Sequence, residues 1–171
     1  MVLRSCLLLL LAGCLPKDPA IQAATPIAVA VGAELTHVDD GAVTAFPPEA
    51  SDRVQAALRA HNLSPQVVDI TTTRNDSAQI DLMRASGAPW TLEIESRARF
   101  FSQMNGRYRW TVTTELSLHT GERVEDTLLH AIETPVFLEY AHEGEPEALI
   151  AAMPMIEREI SAMLQEALTT P

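Results

Sequence analysis

Cysteine is missing from the body of this chain of 171 residues: the two present, Cys6 and Cys14, both precede Leu15. No intramolecular disulfide can form beyond that point, so the rest is held by ordinary burial with no disulfide framework. Positive charge is scarce as well. Twelve Lys and Arg stand against 23 Asp and Glu, a formal net charge of −11. That balance disfavours nucleic acid or anionic lipid as a partner, because phosphate binding needs clustered cations. No long hydrophobic run is present either: the leucine run meets Pro16 and Lys17 well before the roughly 20 apolar residues that a membrane-spanning helix needs. Also missing are HExxH, CxxC and P-loop patterns, and no free cysteine remains in the body as a nucleophile.

What the chain does have is a globular composition, 47% hydrophobic and 20% charged, which argues against global disorder. Its length suits one domain with a substantial core. The acidity favours solubility.

Residues 1–13 show one cation, Arg4, then an apolar run from Cys6 to Ala12, then Gly13-Cys14. This is a signal-peptide arrangement. Leu11-Ala12-Gly13-Cys14 resembles the lipobox of bacterial lipoproteins: Leu, a small residue, Gly or Ala, then Cys. The resemblance implies that residues 1–13 are removed, that Cys14 becomes the first mature residue, and that its thiol carries a diacylglyceryl group. Leu15 stands where an Asp commonly retains such proteins in the inner membrane, so the same resemblance implies the outer membrane, facing the periplasm. The competing reading is a general secretory signal cut further on, for instance after Ala23 or Ala24. Residues 14–26, with Pro16, Pro19 and Pro26, read as a tether reaching at most about 40 Å. The membrane anchor would therefore keep a domain over 27–171 close to its own membrane.

Within that domain, alternation of Ile27, Val29 and Val31 predicts a strand over 27–38. Pro47-Pro48-Glu49 suits a helix start, and a helix is predicted from 49 to 61, with Asn62 in the left-handed position after it. β-Branched residues over 66–73 predict a strand, and Asn75-Asp76-Ser77 caps a short second helix that Gly87-Ala88-Pro89 ends. Leu92, Ile94, Ser96, Ala98 and Phe100 alternate with charged neighbours, Asn105-Gly106 marks a hairpin, and the alternation resumes from Trp110 to Leu118. A third strand over 123–134 completes an antiparallel meander with one wet face. Leu149, Ile150, Met153, Ile156, Ile160, Met163, Leu164 and Leu168 predict a long amphipathic helix over 145–168, with Pro154 removing one hydrogen bond at a kink. The order βαβαβββα predicts an α+β or α/β fold: a mixed sheet of about five strands covered by helices.

Five scattered histidines offer no metal-ligand spacing on one element. Glu139, Glu143, Glu145 and Glu147 read as a loop and helix start rather than a cation site. No catalytic, cofactor-binding or metal residue is assigned, and the chain is read as a non-enzyme without a cofactor. Glu93, Glu95, Arg97 and Arg99 form one row, continued on the next strand by Arg107 and Arg109. This is either a solvated strand face with weak cross-strand ion pairs or a docking face for a partner. Trp90, Phe100, Phe101, Tyr108 and Trp110 crowd the same hairpin; most suit the core, with one or two left for a partner at its tip.

Gly87-Ala88 leading into the central strand, and Thr120-Gly121-Glu122 at a hairpin turn, are similar to periplasmic lipoproteins with the TolB N-terminal-like fold. That resemblance implies an accessory, assembly or adaptor role toward another envelope protein. A periplasmic carrier of a lipid or small apolar molecule, with the final helix lining an apolar cavity, is the alternative.

Overall fold

A computed structural model describes residues 25–73, 75–121 and 126–169. Strand β1 (Ile27–His37) is followed by β2 (Val43–Ala45), helix α1 (Pro48–Ala60), β3 (Leu63–Val67) and α2 (Asp76–Arg84). Then come β4 (Trp90–Met104), β5 (Arg107–His119), β6 (Thr127–Leu138) and α3 (Glu145–Thr169). The sheet runs β2-β1-β4-β5-β6, with β3 paired to β1 beside β2. β1 pairs in parallel with β3 and β4, and the remaining pairs are antiparallel. The fold is therefore α+β with a mixed sheet. It has six strands rather than about five, in the order ββαβαβββα.

Several boundaries follow directly from local chemistry. Pro48 opens α1 with Glu49 in its first turn, and Asn62 at φ 59° turns the chain after its end. The Asn75 side chain accepts from the Ser77 N–H at 3.0 Å and caps α2. Asn105 and Gly106 take φ 52° and 77°, the double left-handed geometry of the tight β4–β5 hairpin. α3 runs unbroken across Pro154. Its Leu149, Met153, Ile156, Ile160, Met163 and Leu164 are all buried. They pack with Val54 and Leu58 of α1 and with Leu92, Ile94, Val112 and Leu116 of the sheet. Each such side chain contributes roughly 1.5–3 kcal/mol on burial, so this stripe is the main reason the sheet and helices cohere.

Three readings need correction. The strand predicted over 66–73 lies at Leu63–Val67. Beyond it the Val68 N–H still donates to the Val31 carbonyl, and Ile70 alone of residues 68–73 is buried, with Met83 and Ala30 in a second, smaller core. The β-branched side chains of Val68 and Ile70 serve packing, not a ladder. Pro65 is tolerated in β3 because the strand lies at the sheet's edge. The third meander strand is Thr127–Leu138, displaced from the expected 123–134. β2 escapes periodicity because three residues are too few to alternate; it forms because the turn at Gly41 (φ 67°) folds it back on β1.

The face opposite α1 and α3 is not uniformly wet. α2 packs there against β1 and β4, and Glu34 and Glu93 are only 7% and 6% exposed. Glu34 accepts from Gln79 Nε2 at 3.1 Å. Gly32 is required at this contact: a Cβ would sit 2.7 Å from Ile70 Cδ1 and 2.9 Å from Met83 Sδ.

Candidate functional site

β1 stops at His37, level with Ala98, while β4 continues to Met104. Among the described residues, the β4 edge that faced β1 is unpaired from Arg99 onward. The hairpin therefore extends past the end of β1, and it carries apolar side chains on both faces. Val38, Phe100, Phe101, Met104, Phe137 and Tyr140 are six of the eleven large apolar residues that stand exposed among those described.

A register shift between Phe100 and Ser102 decides how the arginines are arranged. Arg97 lies opposite Thr113 and Arg99 opposite Thr111; past the bulge, Ser102 faces Arg109 and Met104 faces Arg107. Strict alternation across 97–109 would have shifted this register by one residue. The register before the bulge leads Phe101 to Arg109, and the bulge leaves the two in contact: the guanidinium carbon lies 4.7 Å from the Phe101 ring centroid. On the other side Phe137 of β6 is directly opposite Arg109. The result is a Phe101–Arg109–Phe137 ladder across three strands, with Arg97, Arg99 and Arg107 exposed around it. Arg109 Nε is buried and has no hydrogen-bond partner among the described residues. Bulges blunt strand edges and re-aim side chains; here the bulge brings Ser102 opposite Arg109 and Met104 opposite Arg107 while Phe101 stays in contact with Arg109.

On the opposite face, the Phe100 ring meets Trp110 edge-on at 5.6 Å and Tyr108 at 6.4 Å. Trp90, Tyr108 and Trp110 pack against the main core, whereas Phe100 and Phe101 are 48% and 63% exposed. A cleft of about 570 Å³ opens here, lined by Val38, Ala98, Phe100, Trp110, Gly144 and Glu145. Trp110 Nε1 is buried and unpartnered among the described residues.

The acidic run beside this cleft is structural. Glu145 pairs with His37 Nδ1 and accepts from the Val38 N–H. Glu143 accepts from the Glu139 and Tyr140 N–H groups, and Glu147 from that of Gly144. These carboxylates fix the entry to α3. The histidines remain dispersed: His37 on Glu145, His119 on Thr127, and His130 between Glu159 and Glu166. Among the described residues, no three His, Cys, Asp or Glu side chains form a group that could hold a metal ion.

Of the sequence-predicted site residues, the structure brings together Arg97, Arg99, Arg107 and Arg109 on one face. Cys14 and residues 15–24 of the tether lie outside the described residues. Sequence reasoning missed Phe137, because it ended the third strand at 134; the alternation of Thr134, Val136 and Leu138, all buried, was the signal that would have extended it.

No family model and no curated protein matches this chain. Among solved structures, it is similar to a subunit of a PelC dodecamer from Paraburkholderia phytofirmans. There the identity is 16%, over 81% of this chain and 89% of that one, with a TM-score of 0.42. It is also similar to lipoprotein GNA1162 from Neisseria meningitidis, at 12% identity over 80% and 99% of the two chains and a TM-score of 0.44. Bacterial lipoproteins are thus among the solved chains of similar course, and superpositions this loose carry nothing about activity or partner.

Proposed function

We propose that this chain is a lipid-anchored envelope lipoprotein, held through Cys14 on the periplasmic side of the outer membrane. There it acts as a non-enzymatic accessory or adaptor subunit for another envelope protein. The observation that carries the reading is the opposition of its two ends. The chain enters the sheet at Ile27, next to the start of β4, since Val29 is level with Trp90. The arginine–aromatic end lies beyond Ala98, about 35 Å away from Trp90 to Phe101 at roughly 3.3 Å per residue. Chain entry at one end and an exposed apolar surface at the other is an arrangement that suits a tethered adaptor. Exposed contiguous apolar surface rimmed by polar groups marks an interaction site, and aromatic residues with Arg are the types that dominate binding energy at interfaces. Four of the twelve cationic residues of an acidic chain sit within this hairpin, which suits an acidic rim on the partner.

The carrier reading draws less support, because the α3 stripe that would line a cavity is packed into the core. The anchor is tested by metabolic labelling with palmitate and fractionation. The intact chain takes up label and sediments with membranes, and Cys14→Ala does neither. Label and membrane retention unchanged in Cys14→Ala would refute the anchor.

A further inference from the structure

At the other end of the sheet, the C-terminal end of α2 leans over the first rung of the meander. Thr91, His119 and Thr127 lie side by side there on β4, β5 and β6. His119 Nδ1 is 2.8 Å from Thr127 Oγ1. A cleft of about 460 Å³ is lined by Arg84, Ala88, Thr91, His119 and Gly121. Thr91 is 2% exposed, yet neither Thr91 Oγ1 nor His119 Nε2 has a hydrogen-bond partner among the described residues. Buried groups of this kind are ordinarily paired. Two unmet polar atoms from adjacent strands, beneath one cation in one cleft, form a constellation that ordinary packing does not explain.

We propose that this cleft binds a small oxyanion, a phosphate or carboxylate group, through the Arg84 guanidinium, the Thr91 hydroxyl and His119 Nε2. Arg84 is exposed, and its long side chain is the part that moves to admit the anion. Thr91 donates its hydroxyl hydrogen. His119 donates from Nε2, either as the neutral tautomer whose Nδ1 accepts from the Thr127 hydroxyl or as the imidazolium, which donates from both nitrogens. The charge acting on His119 is of the right sign: burial first, and then the Arg84 cation, push its pKa below the ordinary histidine value. An anion between them relieves that repulsion. The Asp126 carboxylate packs against Gly121 at the rim. The chain leaves toward Cys14 from this same end, so a lipid headgroup and a free anion are two sources of one chemistry; the headgroup source alone rests on the proposed anchor.

The experiment uses the full chain in uncharged detergent micelles, with the His119 imidazole followed by NMR while inorganic phosphate or acetate is added. The expected result is a saturable shift of the His119 signals with a rise in its pKa. Binding should weaken roughly tenfold or more in Arg84→Gln and in Thr91→Val, while Thr91→Ser binds as the parent does. Arg84 is exposed, so Arg84→Gln keeps the fold and remains informative if Thr91→Val does not. Nanodiscs of phosphatidylglycerol, compared with phosphatidylcholine, separate the sources. A shift with phosphatidylglycerol and none with free anions assigns a headgroup and supports the site; a shift with free phosphate supports it as a soluble-anion site. No His119 response to any of these, or an equal response in Arg84→Gln, overturns it.

Discussion

Phe101→Ala separates a surface that binds from one that is merely exposed. Phe101 is 63% exposed, so a little over a third of the ring is buried, and truncation removes about 0.5–1 kcal/mol of burial. Loss of its cation–π contact with Arg109 removes about 0.5–1 kcal/mol more. The fold should therefore weaken by only about 1–2 kcal/mol, a fall in Tm of roughly 3–8 °C. Binding should respond more strongly, because truncating an aromatic anchor at the centre of an interface costs about 2 kcal/mol or more, a factor of roughly 30 in Kd. Leu129 is the internal control: it is 72% exposed and on the same face of β6 as Phe137, several rungs away. A photoreactive side chain at 101 should cross-link one envelope protein that the same group at 129 does not. Co-purification of that protein from gently solubilised membranes should fall in Phe101→Ala and persist in Leu129→Ala. Equal cross-linking from both positions, or undiminished co-purification of Phe101→Ala, would refute the docking role of the hairpin.

Gly32→Ala places a methyl within 3 Å of Ile70 and Met83. It should destabilise by about 1–3 kcal/mol, read as a shift of the urea midpoint at constant slope. A neutral result would mean that α2 and the 68–73 segment yield freely. Ser96 and Thr114 share a buried hydrogen bond of 2.9 Å. Ser96→Ala alone should cost about 1–3 kcal/mol by stranding the Thr114 hydroxyl, and adding Thr114→Val should recover part of it; additive losses would contradict this. His119 is held below its ordinary pKa by burial and by Arg84, so the unfolded chain takes up this proton first as pH falls through the ordinary value of about 6.5. Its contribution is thus fully present above that pH and is lost as pH falls toward the folded-state pKa. The difference in stability between the parent and His119→Gln, followed by chemical denaturation from pH 7.5 to 5, should shift in that direction and not the reverse.

Much of the fold was legible because its signals are local. A period of two over 92–100, Asn105-Gly106 at the hairpin, the Asn75 cap and the helical spacing of the α3 stripe each act within a few residues. The lipobox-like string Leu11-Ala12-Gly13-Cys14 is likewise a set of adjacent residues, legible without any fold. What the sequence by itself determined, then, is the kinds and approximate places of the major elements, the clustering of four arginines in one hairpin, and the motif at Cys14. The tertiary structure alone decided the rest, because each remaining feature depends on residues distant in sequence. Ile70 turned inward because Met83 and Ala30 offered a second core. Glu34 and Glu93 were buried because α2 settled over that end of the sheet. The bulge at Phe100–Ser102 set Met104 opposite Arg107 and Ser102 opposite Arg109, and the pairing of β5 with β6 put Phe137 across from Arg109. Periodicity shows which side chains share a strand face, but only strand pairing and register determine what lies across from them.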